Sequence, residues 1–330
     1  MAAPFRIQRF LCVHCRRSFS SQTFSTTYWL KRPELLARIF MRALSCSAHR
    51  QIARDVGASP TTIMRQTDRL GRHCLLFHEQ LRPKGPPVES LAIDGFESFE
   101  FSQFTPVHFH AAIGTDSHFI YGFTDSELRR KGRMTDRQRR RRQELEARFG
   151  RPDPRSIERE MAVLLEIVVP EGARATIRSD QHPAYPRALA RVRRLGRALC
   201  HETTPSRIAR TPENPLFPVN LVDLLIRHSQ ANHKRETIAF SKRRACAAYR
   251  LFVFLVWRNT MKSLSERKRD ASPAQRLGLL PRRLNVQDVL RARVFPSCVP
   301  LPARWAGYYR RSLPTRRIQN GAEHALKYAA

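Results

Sequence analysis

The chain has 330 residues, with 60 Lys and Arg against 28 Asp and Glu, for a formal net charge of +32. A charge of that size opposes its own compaction unless it normally lies against a polyanion, and nucleic acid is the first such partner. The longest apolar run, Leu251 to Trp257, is seven residues, far short of the ~20 that a membrane-spanning helix needs.

Residues 1–30 place Cys12 and Cys15 at the C-x2-C spacing of a zinc knuckle, flanked by Phe10 and Phe19, which suit a small ribbon. This is half of a tetrahedral Zn2+ site, because Cys46, Cys74, His14, His49 and His73 stand at no recognised spacing. The odd total of seven cysteines fits a reducing cytoplasm better than a disulfide framework. The N-terminus lacks the apolar core of a signal peptide.

Residues 31–82 read as helices. Leu35, Leu36, Ile39, Phe40 and Leu44 recur at helical spacing. The stretch Ser47 to Cys74 then predicts a short helix, a turn at Gly57, Ser59 as N-cap and Pro60 as the first residue of a second helix. Ile52, Val56 and Ile63 fill the joint of a helix-turn-helix. That arrangement leaves Thr61, Thr62, Arg65 and Arg69 on or near the groove side, suited to phosphates and base edges. A plain helical hairpin fits the same pattern.

After the linker RPKGPP comes ESLAIDGFESFEF, Glu89 to Phe101. It reads as a core strand with one carboxylate, Asp94, in its middle, where an ionised group is costly unless something positive pairs with it. A divalent metal and a neighbouring amide both serve. Val107 to Gly114 and His118 to Phe123 continue as an antiparallel meander. Arg139 to Arg142 lie on a charged helix that reads as a solvated face or equally as a patch that follows a phosphate backbone, and Ile157 to Val169 form an apolar-sided helix. Ala173 to Pro186 is a short strand ending in Asp180, with another strand at Ala198 to Thr203. A helix beginning near Asn220 turns Leu221, Leu224 and Leu225 inward and sets Asn220, Asp223 and Arg227 on another face. Cys246 to Trp257 reads as a buried helix. Beyond Lys262 the chain is a basic, proline-punctuated tail that wraps the core or DNA.

Two strand-borne aspartates and a helical acid suit phosphodiester chemistry on paired Mg2+ (or Mn2+) ions. In order and spacing, RIQRFLCVHCRRSF, AIDGFESF, IRSDQHPAY and HKRETIAFSK resemble the zinc knuckle, first-acid strand, second-acid strand and post-acid segment of the DDE transposases of bacterial insertion sequences. The resemblance implies an α+β/α/β chain: a helical helix-turn-helix domain, then an RNase H-like mixed-sheet catalytic domain over residues 88–265 and a basic tail over 266–330. It further implies strand cleavage and transfer at the element's ends, with Asp94, Asp180 and Asp223 holding the metal. Arg227, Lys234 and Arg235 would be placed to hold phosphates. Such an enzyme works on double-stranded DNA as a homo-oligomer, in the cytoplasm at the nucleoid. The third acid of the family is normally Glu. Here Asp223 stands near that place and Glu236 follows thirteen residues on, so both remain candidates. The alternatives are an inactive, truncated transposase-derived DNA-binding protein and an RNA-binding or ribosome-associated protein.

Overall fold

A computed structural model describes residues 6–234, 237–267, 270–315, 318 and 323. A two-stranded ribbon, β1 (Arg9–Leu11) and β2 (Ser18–Ser20), comes first, with Phe10 stacked on Phe19 at 5.2 Å. Three helices follow, α1 (Leu35–Ala43), α2 (His49–Val56) and α3 (Pro60–Leu81). Gly57 ends α2 in the left-handed region, φ 62°, which costs glycine no steric penalty. The Ser59 hydroxyl accepts from Thr62 N at 3.1 Å, capping α3 as expected.

Helix α3 runs further than its apolar pattern suggests because its polar residues are buried and partnered. His73 Nε2 meets Val289 O at 2.7 Å and His78 Nε2 meets Tyr121 O at 3.0 Å. Helix α3 packs along α8 (Arg244–Thr260), where the Arg72 guanidinium lies 5.7 Å from the Tyr249 ring centre.

The central sheet has five strands in the order β5-β4-β3-β6-β7. Strands β3 (Leu91–Phe99), β4 (Pro106–Gly114) and β5 (Ile120–Glu127) form the expected antiparallel meander, and β6 (Arg174–Ser179) and β7 (Ala198–Thr203) join in parallel. Strand β5 starts later and runs longer than predicted. His118 takes a left-handed φ of 58° in the turn, and the Glu89 carboxylate gathers Asp116 N and Ser117 N at 2.7 and 2.8 Å. Mixed sheet and helices together are compatible with the RNase H-like fold.

Helices cover both faces. On one side α5 (Ser156–Val168) and α6 (Ala184–Arg193) pack against Leu91, Ile93, Ala112 and Ile177. On the other side α1, α2, α3, α8 and α7 (Phe217–Ser229) share a core with Ala92, Phe96, Phe109 and Phe123. The N-terminal helices therefore share their core with the sheet. Helix α4 (Asp136–Phe149) buries none of its residues, as its charge pattern predicts.

The described part of the tail packs on the core. Past α9 (Pro273–Arg276) and α10 (Val286–Arg291), helix α11 (Ala303–Arg310) buries Trp305, Tyr308 and Tyr309. Trp305 Nε1 donates to Phe123 O at 3.0 Å, and Arg304 donates to Asp125 Oδ1 at 2.8 Å. Trp305→Ala is expected to lower unfolding stability by about 3–5 kcal/mol, read from urea denaturation of the full chain; a change below ~1 kcal/mol would mean that α11 does not belong to the core.

Candidate active site

Alternation along β3 sends Leu91 and Ile93 to one face and Ala92, Asp94 and Phe96 to the other. Gly95 follows because a Cβ there would lie 2.5 Å from His108 Cε1 and 2.6 Å from Phe109 O. The half-buried Asp94 carboxylate is held on one oxygen only. Its Oδ1 accepts from Gly95 N at 2.7 Å and from Tyr185 Oη at 3.1 Å, while no hydrogen bond reaches Oδ2 among the described residues.

Strands β3 and β6 pair in parallel through Leu91 with Ile177 and Ala92 with Arg178. Continued two residues, the same offset sets Asp94 opposite Asp180, just past the end of β6. The Asp180 charge acts on Asp94, so the two acids are near each other although far apart in sequence. Asp180 is fixed locally, with Oδ1 accepting from His182 N at 2.9 Å and its carbonyl accepting from Ser179 Oγ at 2.7 Å.

Asp223 arrives on α7. The loop before it is folded by buried Asn214, which donates to Ala209 O at 2.9 Å and accepts from Leu216 N at 2.8 Å. The buried stripe of α7 is Val219, Val222 and Ile226, with Asp223 at the remaining position of the same i, i+3, i+4, i+7 face. This corrects the expected inward face. Leu224 is exposed and Leu221 and Leu225 only half-buried, because the helix begins at Phe217 and turns its valine side to the sheet. Asp223 Oδ1 is buried with no hydrogen-bond partner among the described residues.

Electrostatics tie the three acids together. Burial pushes the Asp94 carboxyl up to about 6; Asp180 adds to the rise, and Gly95 N, Tyr185 and Arg210 oppose it. Burial, then Asp94, raises Asp223 well above the ordinary carboxylate range, against the pull of Arg227 and Arg210. Tyr185 is likewise raised, first by burial and then by Asp94 and Asp180, with Asp223 contributing. Asp94 is thus the member coupled to both others.

An all-carboxylate donor set, one buried oxygen lacking a partner and one open oxygen on Asp94 fit a hard divalent cation. Among the described residues no three His, Cys, Asp or Glu side chains stand close enough to enclose a single ion. The same holds at Cys12 and Cys15, which lie in the connection between β1 and β2 with no third ligand joining them, so no zinc-binding group forms there among the described residues.

The remaining expected contacts fall in different places. Thr61 and Arg65 are exposed near the start of α3, with Thr62 half-buried beside its cap. Arg69 faces inward, donating to Thr26 O and Tyr28 O at 3.0 Å each. Arg227 donates to His233 O at 3.1 Å and Glu97 O at 3.4 Å and lies over the Phe96 ring. Lys234 is exposed, and Arg235 and Glu236 lie outside the described residues. Sequence reasoning missed Tyr185 and Arg210. The only signal for Tyr185 was its position in the first turn of the helix after Asp180.

No protein-family model matches the chain, and no curated protein does. Among solved structures the chain is similar to one from the "CryoEM structure of simian T-cell lymphotropic virus intasome in complex with PP2A regulatory subunit B56 gamma". That similarity has 12% identity and a TM-score of 0.27 over 77% of this chain and 74% of the other.

Because the folded-state pKa of Asp94 lies above its unfolded value, the folded chain binds the extra proton between pH ~4 and 6, and stability from this group falls as pH rises through that window. Asp94→Asn is therefore expected to raise stability at pH 7.5 by on the order of 1–2 kcal/mol, with the gain vanishing below pH ~4. Urea denaturation across pH checks this, and a variant less stable than the unmodified chain at pH 7.5 would contradict it.

Proposed function

We propose that the chain is a DDE-type transposase that cuts and joins DNA strands at the ends of its element, with Asp94, Asp180 and Asp223 holding Mg2+ or Mn2+. The observation that carries this reading is the β3–β6 pairing that stops two residues short of Asp94 and Asp180, whose charges interact, with Asp223 coupled to Asp94 from the helix laid across the same sheet face. Bound divalent ions supply the activation of the attacking oxygen and the charge that stabilises the leaving one. The chain's own part is to hold carboxylate oxygens toward one cleft and to bring cations to the phosphate. Exposed Arg210, electrostatically linked to Asp94 and Asp223, is placed for the second task.

The same reading makes residues 31–82 a helix-turn-helix that grips the ends. Its support is the left-handed turn at Gly57 and the exposed Arg50, Arg54, Thr61 and Arg65 around the α2–α3 junction. The net charge of +32 suits double-stranded DNA, on which the chain would act as a homo-oligomer. Asp223 is the preferred third acid because its oxygen lies buried and unpartnered among the described residues, on the helix face that meets the sheet.

The test is divalent-metal-dependent cleavage of a labelled end fragment, with binding of the same fragment measured in parallel. Asp94→Asn, Asp180→Asn and Asp223→Asn should each reduce cleavage to background and leave binding intact, since metals stabilise charge that develops only in the transition state. Glu236→Gln should keep most activity. An active Asp223→Asn beside an inactive Glu236→Gln would move the third role to Glu236. Binding without cleavage by the unmodified chain under any divalent metal would support an inactive DNA-binding protein instead.

A further inference from the structure

The proposed reaction leaves one buried polar group at the acids without a task. Tyr185 packs its ring in the α5–α6 core with Leu91, Ile93 and Leu189, yet its hydroxyl emerges at the carboxylates on Asp94 Oδ1, 3.1 Å away. Gly95 N reaches the same oxygen at 2.7 Å. Both donors therefore sit on Oδ1, and no hydrogen bond reaches Oδ2 among the described residues. A buried phenol usually spends its hydroxyl on a backbone carbonyl or water. Here it is spent on the acid that pairs with both others.

We infer that Tyr185 is a positioning residue, whose hydroxyl locks the Asp94 carboxylate so that Oδ2 is presented to a divalent cation. The inference rests on the metal-binding reading of the three aspartates and assigns a role within it. A ligand oxygen free to rotate loses affinity to rotamer entropy, and groups that orient a metal ligand typically contribute about 10–100-fold to metal affinity. Tyr185 touches no ion itself. Its donated hydrogen bond also satisfies Oδ1, so the partner left for a cation is the open oxygen.

The experiment uses the full chain without DNA and titrates Mn2+, reading free ion by electron paramagnetic resonance. Tyr185→Phe keeps the ring and removes the hydroxyl. It is expected to weaken Mn2+ binding about tenfold while the thermal midpoint stays within a few degrees. In an Asp94→Asn background, Tyr185→Phe should produce no further loss, because the hydroxyl acts only through that carboxylate. A purely structural tyrosine would weaken both backgrounds equally, or neither. Mn2+ binding that depends on Asp94 but is unchanged in Tyr185→Phe would overturn the inference alone. An unmodified chain whose Mn2+ binding is absent, or indifferent to Asp94→Asn, would overturn the metal site and the inference with it. If Tyr185→Phe does not fold, Tyr185→Met, which fills the core without a donor, should show the same weakening; a folded Tyr185→Met with unchanged Asp94-dependent binding would also count against the role.

Discussion

The parallel pairing of β3 with β6 is the contact on which the candidate site depends. It spans two residues on each strand, Leu91 and Ala92 against Ile177 and Arg178, before the strands part. A shift of one residue would turn every side chain of one strand to the opposite face. The register is held by the apolar alternation of β3, which commits Leu91 and Ile93 to the α5–α6 side and Ala92 and Phe96 to the α7–α8 side. Asp94 and Asp180 inherit their proximity from that commitment. The parting of the strands then opens the end of the sheet, where Tyr185 and α7 converge.

Gathering carboxylates there is unfavourable for folding. Each loses water, and each repels its neighbours, which is why Asp94 and Asp223 hold their protons more tightly than ordinary acids. The rest of the chain offsets this. Buried Arg244 bonds Glu100 and Glu127 at 3.1 and 2.6 Å, and Asp125 anchors Arg304 and the Tyr308 hydroxyl. That network joins the start of α8, strand β5, the residue just past β3 and α11. The acids of the sheet thus divide into two groups with opposite physics: Glu100, Asp125 and Glu127 are matched by guanidinium groups, whereas Asp94 and Asp223 are left under-neutralised. Unmatched buried charge is a mark of function more than of stability.

Much of the sheet was legible in the sequence. Strands β3, β4, β6 and β7 followed from short apolar runs closed by turn residues, and both strand acids stood out because a carboxylate interrupts or ends such a run. The helix carrying Asp223 was legible as a helix but not in its facing. Five apolar residues crowd Val219 to Leu225, and only tertiary contact selects Val219 and Val222 over Leu224. The full length of α3 was hidden because His73, His78 and Glu79 look like surface residues: the carbonyls that His73 and His78 meet come from distant segments, and Glu79 is matched by Arg82 just past the helix end. The buried α11 was hidden for a similar reason, since Arg304 finds its aspartate far away in sequence. The role of Tyr185 depends on a single hydroxyl distance, which no pattern of residue types encodes.

The central claim is that Asp94 presents an open oxygen to a divalent ion shared with its neighbouring acids. Anomalous diffraction from crystals grown with Mn2+ tests it most directly. The account predicts a peak about 2.1 Å from Asp94 Oδ2, with a second oxygen supplied by Asp180 or Asp223 and the Tyr185 hydroxyl still on Oδ1. Mn2+ located elsewhere on a folded chain, with the three aspartates bonded only to protein or water, would contradict it.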